Sequence, residues 1–131
     1  KKVMIVDDSI VRGNTSREIV RMLKDFGATE VYFAVACPPV ISPCFYGVDM
    51  PTRKELIANN KSVEEIKKHL KVDQLIYQDI DSLSEAVMRK GDHHIDQPCM
   101  ACFDKKYITN DMSIQKINEL EEMRIKDRNG K

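Results

Sequence analysis

Apolar positions in this chain fall into short continuous runs and into stretches at helical spacing, the patterns of buried strands and amphipathic helices. Val3-Met4-Ile5-Val6 is a compact apolar run and predicts a buried parallel strand. The polar stretch from Asp7 to Asn14 predicts a loop, with Thr15 or Ser16 as the expected cap of the next helix. In that helix Ile19, Val20, Leu23 and Phe26 share one face, and Gly27 is the expected stop. Val31 to Ala36 predicts a second strand. Together these make a β-loop-α-β unit, in which a parallel pair needs a right-handed crossover.

Downstream, Pro38, Pro39, Pro43, Gly47 and Pro51 mark Cys37 to Pro51 as irregular. A short helix is expected over Lys54 to Ala58. Ser62-Val63-Glu64-Glu65 is a capping box opening a helix to about Leu70, and Leu75 to Tyr77 predicts a third strand. Ser82-Leu83-Ser84-Glu85 has the same form, and its helix is expected to stop near Gly91. Asp92 to Lys106 reads as a loop holding two cysteines. Asp111 to Arg128 reads as a charged helix with Met112, Ile117, Leu120 and Met123 as its apolar side. Its charged positions, Glu119, Glu121, Glu122, Arg124 and Lys126, are expected to be solvated. The fold class is therefore α/β: a parallel sheet with flanking helices over residues 1–91, and a Cys-containing loop with a helical tail over 92–131.

A length of 131 residues suits one domain at most. The chain opens directly on a strand with no initiator Met, so we expect a fragment lacking an N-terminal part. Lys and Arg number 21 and so do Asp and Glu, which disfavours nucleic acid as a partner. No apolar run approaches the roughly 20 residues of a membrane span, so no membrane partner is expected. Four cysteines in a chain that is 32% charged suit a reducing, cytoplasmic setting, as thiols or metal ligands.

The most informative stretch is Val3 to Ser16, V-M-I-V-D-D-S-I-V-R-G-N-T-S. Asp7 and Asp8 end a strand, the edge at which open α/β sheets bind ligands. Adjacent carboxylates repel, a cost that a cation or sugar hydroxyls would offset. The small-residue loop behind them runs into a helix N-terminus, where outward N–H groups favour an anion such as phosphate. Gly13 permits close backbone approach, and Ser9, Thr15 and Ser16 add hydroxyls. A ribose 5-phosphate matches both halves. A response-regulator receiver domain is a rival, since its acidic pair after the first strand binds magnesium and Asp49 could stand as a phospho-acceptor. Against it, no long apolar strand leads into Asp49, and Lys106 is followed by Tyr107 rather than Pro.

Asp7 to Ser16, D-D-S-I-V-R-G-N-T-S, closely resembles the phosphoribosyl pyrophosphate motif of type I phosphoribosyltransferases, in the form typical of amidophosphoribosyltransferases. P-C-F-Y-G-V-D-M-P at 43–51, E-L-I-A at 55–58 and S-V-E-E-I at 62–66 resemble the same family in the same order. The resemblance runs from Lys2 to about Thr109 and implies the C-terminal part of the transferase domain, without the family's N-terminal glutaminase domain. It implies an enzyme that delivers glutamine-derived ammonia to C1 of phosphoribosyl pyrophosphate, giving phosphoribosylamine, the first committed step of purine synthesis. Asp7 and Asp8 would face the ribose hydroxyls with Mg2+ shared between them and the substrate. Ser9, Ile10, Val11, Arg12, Gly13, Asn14, Thr15 and Ser16 would cradle the 5-phosphate. Purine nucleotides are implied as inhibitors and a homo-oligomer as the assembly. A phosphoribosyl-type fold used only for binding, as in some regulators, is the further alternative.

Cys99-Met100-Ala101-Cys102 is a C-x2-C pair, a spacing shared by zinc, redox and iron–sulfur sites. The resemblance implies the branch of the family holding a [4Fe–4S] cluster, with Cys44, Cys99 and Cys102 as three ligands. The fourth is expected outside this chain, with Cys37 the local substitute. His93 and His94 precede the pair and read as surface residues.

Overall fold

The computed structural model describes residues 1–89 and 97–130. Its elements run β1 (Lys2–Asp7), α1 (Asn14–Asp25), β2 (Glu30–Val35), a 3-10 turn (Arg53–Glu55), α2 (Val63–Leu70), β3 (Gln74–Tyr77), α3 (Ile80–Met88), α4 (Ala101–Asp104) and α5 (Ile114–Asn129). The three strands form one parallel sheet in the order β1-β2-β3. Val6, Ala34 and Ile76 stand in register across it.

Alternation sorts the sheet into two faces. Val31, Phe33 and Val35 of β2 point one way and are buried, with Leu75 of β3 beside them. Ile10, Val20, Ile57, Ile66 and Leu70 complete that core. Phe33 is wholly buried, a contribution of about 1.5–3 kcal/mol by area. The opposite face is open, with Met4 60%, Val6 72% and Ile76 52% exposed. Parallel sheets are ordinarily covered on both sides, and β1 also leaves an unpaired edge. The 131-residue chain on its own is therefore expected to self-associate. Val6→Lys with Ile76→Lys should shift it toward monomer by light scattering, and unchanged association would place the sticky surface elsewhere.

Several elements differ from the sequence expectations, each for a local reason. The helix α1 begins at Asn14 with Gly13 at its cap, so neither Thr15 nor Ser16 caps it. Its apolar stripe reaches the core through Val20 and Leu23, while Phe26, beyond the last helical residue, is 89% exposed. Only Arg53–Glu55 is helical in the segment after Pro51. The Ser62 box forms as expected, its hydroxyl accepting the Glu65 N–H. The Ser82 box does not form: α3 starts earlier because Asp79 accepts the Ser82 N–H. Ala101–Asp104 is a short helix within the expected loop, and α5 starts at Ile114 behind a Ser113 cap, leaving Met112 outside it. Gly91, the boundary between 91 and 92, His93 and His94 lie outside the described residues.

The charged side of α5 is not simply solvated. Glu121 pairs with Arg53 at 2.7 Å, where its side chain is only 12% exposed. Arg124 donates to the carbonyls of Cys44 (2.6 Å) and Met50 (3.3 Å) and lies 4.8 Å over the Phe45 ring. Glu119, Glu122 and Lys126 are exposed as expected. In this way α5 is bound to the irregular segment after β2. The same segment is tied to the cysteine loop, since the Cys102 carbonyl accepts from the N–H groups of Ile41 and Ser42.

Candidate functional site: an acidic pair, an amide loop and three thiols

The strand β1 delivers Asp7 to the C-terminal edge of the sheet, half-buried, with Asp8 exposed beside it. Asp7 Oδ1 accepts the Asp8 N–H at 3.0 Å, and Asp8 Oδ1 accepts the Ser9 hydroxyl at 3.1 Å. Among the described residues neither carboxylate has a cationic partner. The pair thus carries uncompensated negative charge, a donor set that suits Mg2+ or sugar hydroxyls.

Residues 9–16 wrap from this pair into α1. Ile10 is 1% exposed and belongs to the core, so it anchors the loop and can offer a ligand only its backbone. Gly13 is buried at φ 79°, the left-handed region. The Val11 carbonyl accepts the Ile57 N–H at 2.9 Å, tying the loop to the chain after the 3-10 turn. Among the described residues, no backbone N–H from Ser9 to Ser16 donates to another protein group. A cavity of about 420 Å³ lies against these amides, lined by Asp7, Ser9, Val11, Arg12, Gly13, Asn14, Thr15 and Ser16. Free amides at a helix N-terminus favour an anion through both hydrogen bonds and the helix dipole.

Arg12 reaches from this cavity to Glu55, donating from Nε at 3.2 Å and Nη2 at 2.8 Å. Burial works to raise the Glu55 pKa, but hydrogen bonds from the Thr52 N–H, Arg12 and the Thr52 hydroxyl, with the Arg12 charge, hold it down to about 2. Arg128 of α5 adds a further contact at 3.2 Å. The roles of Glu55 and Arg128 here were not foreseen from the sequence. Their separations from Arg12 leave no local pattern to detect.

The structure brings Cys44, Cys99 and Cys102 around one cavity of about 450 Å³, otherwise lined mainly by apolar groups such as Val40, Met50 and Phe103. All four cysteines are free thiols. Burial chiefly, then the nearby thiols, pushes Cys102 up to about 11. Among the described residues no three His, Cys, Asp or Glu side chains stand close enough to hold a metal ion as they are. Cys37 does not line that cavity; it follows β2 near the acidic pair and is raised to about 11 chiefly by burial and then by Asp8. Tyr77 at the end of β3 is pushed up to about 12 by burial, with its hydroxyl unpartnered.

No family model matches the chain. A curated amidophosphoribosyltransferase from Methanocaldococcus jannaschii is 49% identical over 117 residues, 89% of this chain and 23% of that protein. The chain is homologous to amidophosphoribosyltransferases. The Bacillus subtilis amidophosphoribosyltransferase is 49% identical over 83% of the chain, and the Pseudomonas aeruginosa one 45% identical over 95%. The chain spans about a quarter of the length of these relatives. The solved glutamine phosphoribosylpyrophosphate amidotransferase from B. subtilis, complexed with ADP and GMP, superposes with a TM-score of 0.72 at 46% identity over 86% of this chain and 26% of that one. A structure described as the allosteric regulatory enzyme of purine biosynthesis gives 0.73 at 45% identity, over 87% of this chain and 25% of that one. The fold is part of the type I phosphoribosyltransferase fold of amidophosphoribosyltransferases. A receiver domain is not supported. Its sheet places the first strand between the second and third, whereas here β2 lies between β1 and β3, and Asp49 sits 93% exposed in irregular chain.

Proposed function

We propose that this chain supplies the ribose 5-phosphate half of an amidophosphoribosyltransferase active site. The observation that carries the reading is the Asp7-Asp8 couple, without a cationic partner among the described residues, adjoining a run of free backbone amides from Ser9 to Ser16, seven of whose residues line one cavity. In this reading, residues 1–91 belong to the transferase domain and 92–131 form a tail. The substrate is phosphoribosyl pyrophosphate, with the 5-phosphate against Ser9 to Ser16 and the ribose hydroxyls against Asp7 and Asp8. The carboxylates hold C1 in line for attack by glutamine-derived ammonia and favour the positive charge that develops on the ribose as pyrophosphate departs. Ammonia arrives neutral, so this segment supplies no general base. Mg2+, held by Asp7 and Asp8, would neutralise charge on the pyrophosphate. Purine nucleotides are proposed as inhibitors through their own ribose 5-phosphate, and the protein as a cytoplasmic homo-oligomer. Among the described residues no helix is long and apolar enough to cross a membrane.

The test is ammonia-dependent release of pyrophosphate from phosphoribosyl pyrophosphate by the full-length protein carrying this chain. Turnover supports the reading, and its absence with binding retained favours a regulator that only binds phosphoribosyl compounds.

We further propose that Cys44, Cys99 and Cys102 hold a [4Fe–4S] cluster with a fourth cysteine from outside this chain. Three thiols on one apolar cavity suit soft thiolate ligation, and the cluster would tie the tail to the irregular segment. Anaerobically purified full-length protein is expected to contain iron and sulfide in equal amounts, both lost in Cys44→Ser or Cys99→Ser. Zinc without sulfide would replace this assignment.

A further inference from the structure

Glu55 holds two arginines at once, and each of its oxygens has its own task. Oε2 accepts the Thr52 N–H at 2.9 Å, the Thr52 hydroxyl at 3.0 Å and Arg128 at 3.2 Å. That oxygen is fixed to the backbone by the capping box of the 3-10 turn. Oε1 takes Arg12, through Nε at 3.2 Å and Nη2 at 2.8 Å. Arg12 lines the cavity of the amide loop, and among the described residues its Nη1 has no protein partner. A guanidinium gripped along one edge keeps its plane and direction while its remaining nitrogen stays free for another acceptor.

We infer that Glu55 is a positioning residue that aims the Arg12 guanidinium at the phosphate held by the loop, with Arg128 of the C-terminal helix balancing its charge. The inference rests on the proposed ribose 5-phosphate site. Glu55 meets two cations, and Arg128 is itself 3.8 Å from Asp49, so the two arginines and two carboxylates balance and it is the free Arg12 nitrogen that is offered to an anion. Removing Glu55 leaves a flexible, half-exposed Arg12 that must be ordered anew by each phosphate. The 5-phosphate does not change during the reaction, so the loss falls on binding in ground and transition states alike and appears in KM rather than kcat.

The experiment is a double-mutant cycle in the full-length enzyme with phosphoribosyl pyrophosphate as the varied substrate. Glu55→Gln and Arg12→Gln are each expected to raise KM about five- to twentyfold with kcat within about twofold. In the Arg12→Gln background the Glu55→Gln change should have no further effect. Thr52→Val, which loosens Glu55 without touching the cavity, should give a smaller KM rise that also vanishes in that background, and it serves if Glu55→Gln fails to fold. Independent, multiplying effects of Glu55 and Arg12 overturn the inference while leaving the site intact. Loss of the site reading itself would show separately, as unaltered synthesis when Asp7 and Asp8 are changed.

Discussion

Asp7→Asn with Asp8→Asn is expected to lower ammonia-dependent phosphoribosylamine synthesis at least about 100-fold in the full-length enzyme. Two effects combine. In the proposed site the Asn side chains would no longer accept strongly from ribose hydroxyls, so C1 would lose its fixed approach to ammonia, and imprecise placement alone costs about 100-fold. The negative charge facing the ribose is also removed, and each such electrostatic contact is worth about 100- to 1000-fold. Among the described residues neither carboxylate is part of an ion pair, and their hydrogen bonds go only to the Asp8 N–H and the Ser9 hydroxyl. The fold should therefore persist, with a melting temperature within a few degrees of the parent. Relief of the repulsion between neighbouring carboxylates should even favour the substituted protein slightly. Glutamine hydrolysis, which asks nothing of these residues, should continue. A doubly substituted enzyme that makes phosphoribosylamine at the parent rate would remove the acidic pair from the mechanism.

What the sequence made legible is what short stretches encode. β1, β2 and β3 were recognisable because each is a brief apolar run, and the Ser62 box because all its partners lie within four residues. The sequence points to Ser82 as the start of α3 and the structure to Asp79, because two good caps overlap: both are favoured residues, and the earlier one wins by accepting the Ser82 N–H. The sequence suggests an anion site at Asp7 to Ser16 because free amides are a property of backbone at a helix start, and the structure leaves the N–H groups of Ser9 to Ser16 without a protein acceptor among the described residues. Arg12 was visible, but not its grip on Glu55. Pairs such as Arg124 with the Cys44 carbonyl, or Arg128 with Glu55, join positions about 70–80 residues apart and follow no periodicity. That is why α5 looked like a solvated charged helix while two of its charges point inward. The shared cavity of Cys44, Cys99 and Cys102 was likewise invisible to spacing alone, and it was the resemblance to the family that linked Cys44 to the C-x2-C pair.

Gly13→Ala is expected to destabilise the protein by about 2–5 kcal/mol, the sum of two separable costs. The first is conformational: Gly13 has φ 79°, and a left-handed residue with a Cβ costs about 1–2 kcal/mol. The second is steric. A Cβ at this position would stand 2.7 Å from Ile57 Cδ1 and 3.4 Å from Leu70 Cδ2, both in the core, and overpacking of this kind costs about 1–3 kcal/mol. Ile57 also donates its N–H to Val11, so a push on Ile57 is transmitted to the loop it braces. Weaker binding of phosphoribosyl pyrophosphate should accompany the lower melting temperature. Ile57→Val removes the clashing methyl group, and by itself should cost about 0.5–1.5 kcal/mol. Combined with Gly13→Ala it should recover the steric part and leave the conformational part, so the double variant is more stable than additivity predicts. Chemical denaturation of the four proteins of this cycle checks the result. Strict additivity would mean that the tight approach of Gly13 to Ile57 does not hold the loop against the core.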